Sequence, residues 1–204
     1  KAKTPTQRVF SMIPILFATQ QFLEGLIWLE LLGAVGPPLL SITTKTYAYL
    51  LFAWVIWPFF LPYSFFLLDE DSDRKRLLKI LVLVGIGISI LLTYLLVSHK
   101  VTPQIGNHHI KYVLDFTPTL PLVFGLLYVS TTVFSCFISS VKGIWYLGVI
   151  NLGSFIFSKL FFNEYLISVW CYFAALSSIG VLVIMHQLVK PTDSKKKIIL
   201  PKRH

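Results

Sequence analysis

The sequence predicts an all-α fold, a polytopic transmembrane bundle with six helices in this chain, and three observations carry that prediction. Apolar runs of about twenty residues, the length that crosses a bilayer core as a helix, recur six times. The 204 residues are 55% hydrophobic and 13% charged and include 17 Phe. Their mean hydropathy of +0.74 exceeds that of a soluble domain of this size. Lysine and arginine, finally, collect in alternate connections between the runs.

The helices are expected near 9–33, 46–68, 77–98, 117–138, 143–161 and 165–188. The first carries QQFLEGLIW at its centre. The second contains Pro58 and Pro62, which release backbone carbonyls about one turn earlier and should kink it. The third runs between the basic cluster Arg74, Lys75, Arg76, Lys79 and the segment that opens at His99. The fourth ends near Cys136. The fifth holds Asn151, Ser154 and Ser158 with Gly148 and Gly153, and Gly148, Gly153, Ala174 and Ser178 are small enough to let helices approach closely. The sixth ends at His186, where an imidazole gains from the helix dipole. Residues 1–190 thus form one transmembrane domain, and 191–204 a basic tail.

A formal charge of +9 raises the question of nucleic acid, which the distribution excludes. Fourteen of the 18 basic residues fall in the first, third, fifth and seventh inter-helix regions. Lys45, Lys100, Lys111 and Lys159 are the four on the other side. The positive-inside rule then puts both ends of the chain in the cytoplasm and the loop 99–116 outside. The opening KAKTPTQR reads as a cytoplasmic loop, so an upstream helix is expected, giving seven crossings in the native protein. Cys136 and Cys171 fall in opposite leaflets on this reading, too far apart for a disulfide or a shared metal, and both read as packing residues.

Within the bundle Glu24 is the residue of greatest interest, because an ionisable group at bilayer depth costs about 2.5 kcal/mol or more. Counting along the helix puts it about 20 Å from the cytoplasmic end. Gln20, Gln21, Glu24 and Trp28 share a face that should point inward. Two readings stand: interhelical glue, or a ligand or catalytic group, Glu24 being the candidate catalytic residue. Asn151 and Ser154 on the fifth helix and Tyr94 on the third complete the candidate binding set. Lys159 either counters Glu24 or snorkels to the headgroups.

The loop HKVTPQIGNHHIKYVLDF brings His99, His108, His109, Tyr112 and Asp115 to the side towards which Glu24 is displaced. His99, His108, His109 and Asp115 are the candidate ligands for a metal ion, the one cofactor the sequence raises. Adjacent His108 and His109 point in different directions, so one of them faces any given centre, and a solvated His-rich loop is the alternative. HExxH, paired CxxC, an EF-hand loop, a GxSxG elbow and a phosphate-cradling glycine loop are all missing from the sequence.

QQFLEGLIW at 20–28, WPFFLP at 57–62, GNHHIKY at 106–112 and SVWCYFAALSS at 168–178 resemble a family of bacterial integral membrane proteins of unknown function. Its members look like seven-helix proteins that open with a Met-Cys-Phe-Ser-like stretch and one further helix before a basic loop like KAKTP. This chain lacks that start. The resemblance implies the bacterial cytoplasmic (inner) membrane, no established activity, and motif positions at Gln21, Glu24, Trp28, His108, His109, Tyr112, Trp170 and Cys171.

The expected partners are the lipid bilayer and a small or lipid-like ligand in an outward-facing polar pocket around Glu24; the oligomeric state is open. An intramembrane metal-dependent hydrolase or lipid-modifying enzyme, with Glu24 as base on a metal-bound water, is the alternative. A proton-coupled transporter relaying through Glu24 and His99 is the third.

Overall fold

The computed structural model describes residues 4–34, 39–115 and 121–189; the basic tail, the segment 35–38 and the start predicted for the fourth helix lie outside them. The described chain is a bundle of six helices with one two-stranded β-hairpin. The helices are α1 (Pro5–Leu31), α2 (Ile42–Leu68), α3 (Ser72–Ser98), α4 (Val123–Ile138), α5 (Ile144–Phe161) and α6 (Asn163–Val189). All but α4 are long and apolar enough to cross a membrane. Phe22, Leu83, Ile90, Val97, Leu126 and Leu160 are among the large apolar side chains exposed on the outer surface, more than a water-soluble monomer displays.

Each of the first three helices starts about a turn before its apolar run. The expected starts at 9, 46 and 77 become 5, 42 and 72. Polar caps explain the difference: hydropathy finds the apolar stretch, whereas the helix begins where a side chain can take up its first N–H groups. Thr4 and Gln7 form a reciprocal capping box ahead of Pro5. Ser41 Oγ accepts from Thr44 N at 3.2 Å. Asp71 Oδ1 accepts from the N–H groups of Asp73 and Arg74.

Proline shapes α2. The helix widens into a π segment over Leu51–Ile56, just before Pro58. Carbonyls loosened there are taken up by hydroxyls of neighbouring helices. Ser89 Oγ on α3 donates to Val55 O at 2.6 Å, and Tyr128 Oη on α4 donates to Ala53 O. Pro62 deprives Pro58 O of its helical donor, and that carbonyl lies against Gly85 of α3, where any Cβ would collide with the Pro58 backbone. Glycine is therefore what permits the α2–α3 contact. A second π segment, Ser130–Phe134, interrupts α4.

The buried stripe of α1 is Phe10, Ile13, Phe17, Gln20, Glu24 and Ile27, alternating steps of three and four residues. It joins two apolar clusters. Phe10, Ile13 and Phe17 pack with Trp57, Phe65, Leu78, Leu147 and Ile184 towards one end. Ile27 packs with Tyr49, Leu50, Leu96, Ile110 and Tyr112 towards the other. The polar pair Gln20 and Glu24 falls between them along α1.

The segment expected as a loop is a hairpin. Strands β1 (Val101–Gly106) and β2 (His109–Leu114) pair antiparallel, Val101 opposite Leu114 and Gly106 opposite His109. Asn107 and His108 make its two-residue turn with φ of 44° and 60°, the backbone hand that matches strand twist. The alternation Ile110, Tyr112 against Lys111 supplies one buried face, and a period of two inside a helical chain marks the strand.

Candidate functional site

Glu24 is 8% exposed and Gln20 fully buried, with Gln21 and Trp28 half-buried at the flanks of the same stripe. Tyr112 Oη donates to Glu24 Oε1 at 3.2 Å, and Tyr49, Ser168 and Gln21 also reach the carboxylate. The rings of Tyr112 and Tyr49 stack with centroids 5.0 Å apart. Tyr49 Oη in turn donates to Ile167 O at 3.4 Å. Side chains from α1, α2, α6 and the hairpin thus converge on one carboxyl group. Among the described residues no lysine, arginine or histidine forms an ion pair with it.

Gln20 extends the cluster one turn along the bundle. Its Oε1 accepts from Trp57 Nε1 at 2.6 Å, and Trp57 stacks on Phe17 with centroids 3.8 Å apart. The amide nitrogen of Gln20 is buried and makes no hydrogen bond. A buried donor left unmade costs about 1–3 kcal/mol, so this amide is open to a further partner.

Beside this cluster lies a cavity of about 50 Å³. Phe17, Trp57, Phe65, Tyr128, Asn151 and Cys171 are among its walls. Cys136 borders it as well, so the two cysteines, both free and buried, share one cavity although the sequence assigns them to opposite leaflets. Asn151 ties α5 to α6: its Nδ2 donates to Leu147 O at 2.8 Å, and its Oδ1 accepts from Ser177 Oγ at 3.3 Å. Trp170 Nε1 donates to the Asn151 carbonyl at 3.3 Å. Ser154 bonds back to the same carbonyl at 3.0 Å and does not border the cavity. Tyr94 is 65% exposed on the outer face of α3 and makes none of these contacts.

The histidines separate. His99 Nδ1 sits 3.2 Å from Asp115 Oδ1, and Asp115 Oδ2 also accepts from Lys100 N at 3.0 Å, a clasp at the base of the hairpin. His108 occupies the turn at its tip. His109 packs on Phe162 and Tyr165 where α5 meets α6, and Lys111 Nζ lies 2.8 Å from Glu164 Oε2 beside it. The Glu164 carboxylate raises the pKa of that exposed Lys111. Among the described residues no three His, Cys, Asp or Glu side chains come together in a group able to hold a metal ion. Antiparallel pairing is the reason: it leaves His99 at the base of the hairpin and puts His108 and His109 at its tip. Lys159 is exposed and forms no ion pair with Glu24.

Sequence reasoning missed Tyr49, Ser168 and Trp57, which complete the cluster, and a buried ion pair at its edge. Lys45 Nζ of α2, 4% exposed, pairs with Glu30 Oε2 of α1. The signal was two opposite charges close to the facing ends of consecutive helices.

No curated protein and no solved structure matches the chain. A family profile does, over residues 1–197, and it carries no assigned activity. The protein belongs to that family, a family of unknown function designated DUF6629.

Proposed function

We propose that the protein is a multi-pass protein of the bacterial cytoplasmic membrane that binds a small or lipid-like ligand at Glu24, with the hairpin closing the site. The observation that carries this reading is a buried carboxylate met by neutral donors alone, beside the buried Gln20 amide that makes no hydrogen bond. A ligand hydroxyl or amide both donates and accepts, so one group satisfies Glu24 and a glutamine together. The adjoining cavity of about 50 Å³, walled by Phe17, Trp57 and Phe65, takes a small apolar group of the ligand. Positive-inside orientation supports the hairpin end as the outer one: the Arg74 and Lys142 connections meet at the opposite end, Arg74 Nη1 donating to Ile138 O and Ser139 O.

Native mass spectrometry of the protein released from mild detergent tests the proposal. A low-mass species retained by the wild type and lost from both Glu24→Gln and Gln20→Leu is expected; equal retention by all three proteins removes the cluster from ligand binding. A metal-dependent hydrolase would require ligands that the described residues do not bring together. A relay through His99 would start from a histidine already engaged with Asp115.

A further inference from the structure

At the end of the bundle opposite the hairpin, the α4–α5 connection and the first turn of α3 enclose an open cleft of about 500 Å³. Arg74, Ser140, Lys142, Gly143, Trp145 and Tyr146 stand in its wall, and none of the residues lining it is acidic. Arg74 is held in place by the carbonyls of Ile138 and Ser139, at 3.2 and 3.3 Å from its Nη1, and forms no ion pair among the described residues. Lys142 likewise has no carboxylate within reach.

The nearest buried acid is already engaged. Asp69, 2% exposed, accepts from Asp71 N, Ser139 Oγ, Ser140 N and Ser140 Oγ at 2.7 to 3.1 Å. Its charge fixes the 139–140 turn on which the cleft is built, and it is saturated by four donors.

Trp145 and Tyr146 stack with centroids 3.8 Å apart and are both exposed. Adjacent exposed aromatics beside arginine and lysine at the end of apolar helices have the composition of a headgroup site. The rings sit at headgroup level, and the cations meet phosphate oxygens. Arginine suits that partner because its planar fork matches two oxygens at once.

We propose that this cleft binds a phosphate-bearing anion, either the headgroup of an acidic phospholipid or free phosphate, through Arg74 and Lys142. The site is independent of Glu24 and stands whether or not the ligand-binding reading holds.

The full chain, purified in detergent, is titrated with dioleoylphosphatidylglycerol and, separately, dioleoylphosphatidylcholine by native mass spectrometry, and with inorganic phosphate by thermal shift. Lys142→Gln, Arg74→Gln and the control Lys79→Gln, a basic residue outside the cleft, are run in parallel. Lys142→Gln is the cleaner variant, since Arg74 also braces a turn. Preferential retention of the anionic lipid, weakened about fivefold in Lys142→Gln and in Arg74→Gln but not in Lys79→Gln, establishes a lipid site. Stabilisation by inorganic phosphate alone, lost in Lys142→Gln, establishes a free-phosphate site. Equal retention of both lipids with no phosphate effect overturns the proposal, as does a loss in Lys79→Gln matching that in Lys142→Gln.

Discussion

Tyr112 Oη donates to Glu24 Oε1 across 3.2 Å, linking residues 88 positions apart in the chain. The bond pins the hairpin to α1. Burial and, next, the neighbouring Glu24 carboxyl push the Tyr112 phenol well above its usual range, so it stays a donor throughout physiological pH.

Tyr112→Phe keeps the ring stacked on Tyr49 and removes only the donor. A loss of about 1–3 kcal/mol in stability is expected, the cost of a buried polar group left without its partner. A double-mutant cycle with Glu24→Leu, which removes the acceptor, followed by unfolding in detergent, should return a coupling of about 0.5–2 kcal/mol. Strict additivity would mean that the two side chains do not interact.

The Lys45–Glu30 pair makes a prediction of the opposite character. Removing one member of a buried ion pair leaves a charge uncompensated, so Lys45→Met should cost about 3–5 kcal/mol. Adding Glu30→Gln to it should recover most of that loss, because no buried charge then remains. A double variant as unstable as Lys45→Met would show that the lysine packs rather than pairs. Thermal unfolding of the three proteins decides.

Asp69 predicts a pH dependence. Burial raises its pKa, but the hydrogen bonds from Ser140, Asp71 and Ser139 outweigh burial and bring it below the ordinary aspartate value. A carboxyl depressed in the folded state contributes stability that is fully present above its unfolded pKa of about 3.9 and is lost as pH falls through the folded value. Asp69→Asn should therefore be less stable than wild type at pH 7, with the gap closing as pH drops below about 4. Unfolding temperatures measured from pH 3 to pH 7 test this; a gap constant across that range would deny Asp69 its role.

Glu24 and Gln20 could be identified from sequence because helix periodicity is local: steps of three and four put them on the stripe that carries Phe10, Ile13 and Phe17. Their partners could not. Tyr49, Tyr112 and Ser168 lie on three other elements, and no spacing within one segment encodes which of them meet a given carboxyl. Tyr94 shows the reverse error, since a polar side chain on an apolar helix looks like a pocket residue until packing turns it outward.

The histidine cluster failed for a related reason. Four candidate ligands within 17 positions look close in sequence, yet strand pairing holds His99 and His108 at opposite ends of a hairpin.

By itself the sequence determined that the chain folds into helices long and apolar enough to cross a membrane, where those helices run to within about a turn, and which face of α1 is buried. Those properties depend on neighbours a few residues away. Tertiary structure alone decided that the hairpin is seated over Glu24, that Lys45 meets Glu30, and that Arg74 and Lys142 share a cleft. Each of these joins residues distant in the chain, and only the packing of whole helices brings such groups within bonding distance.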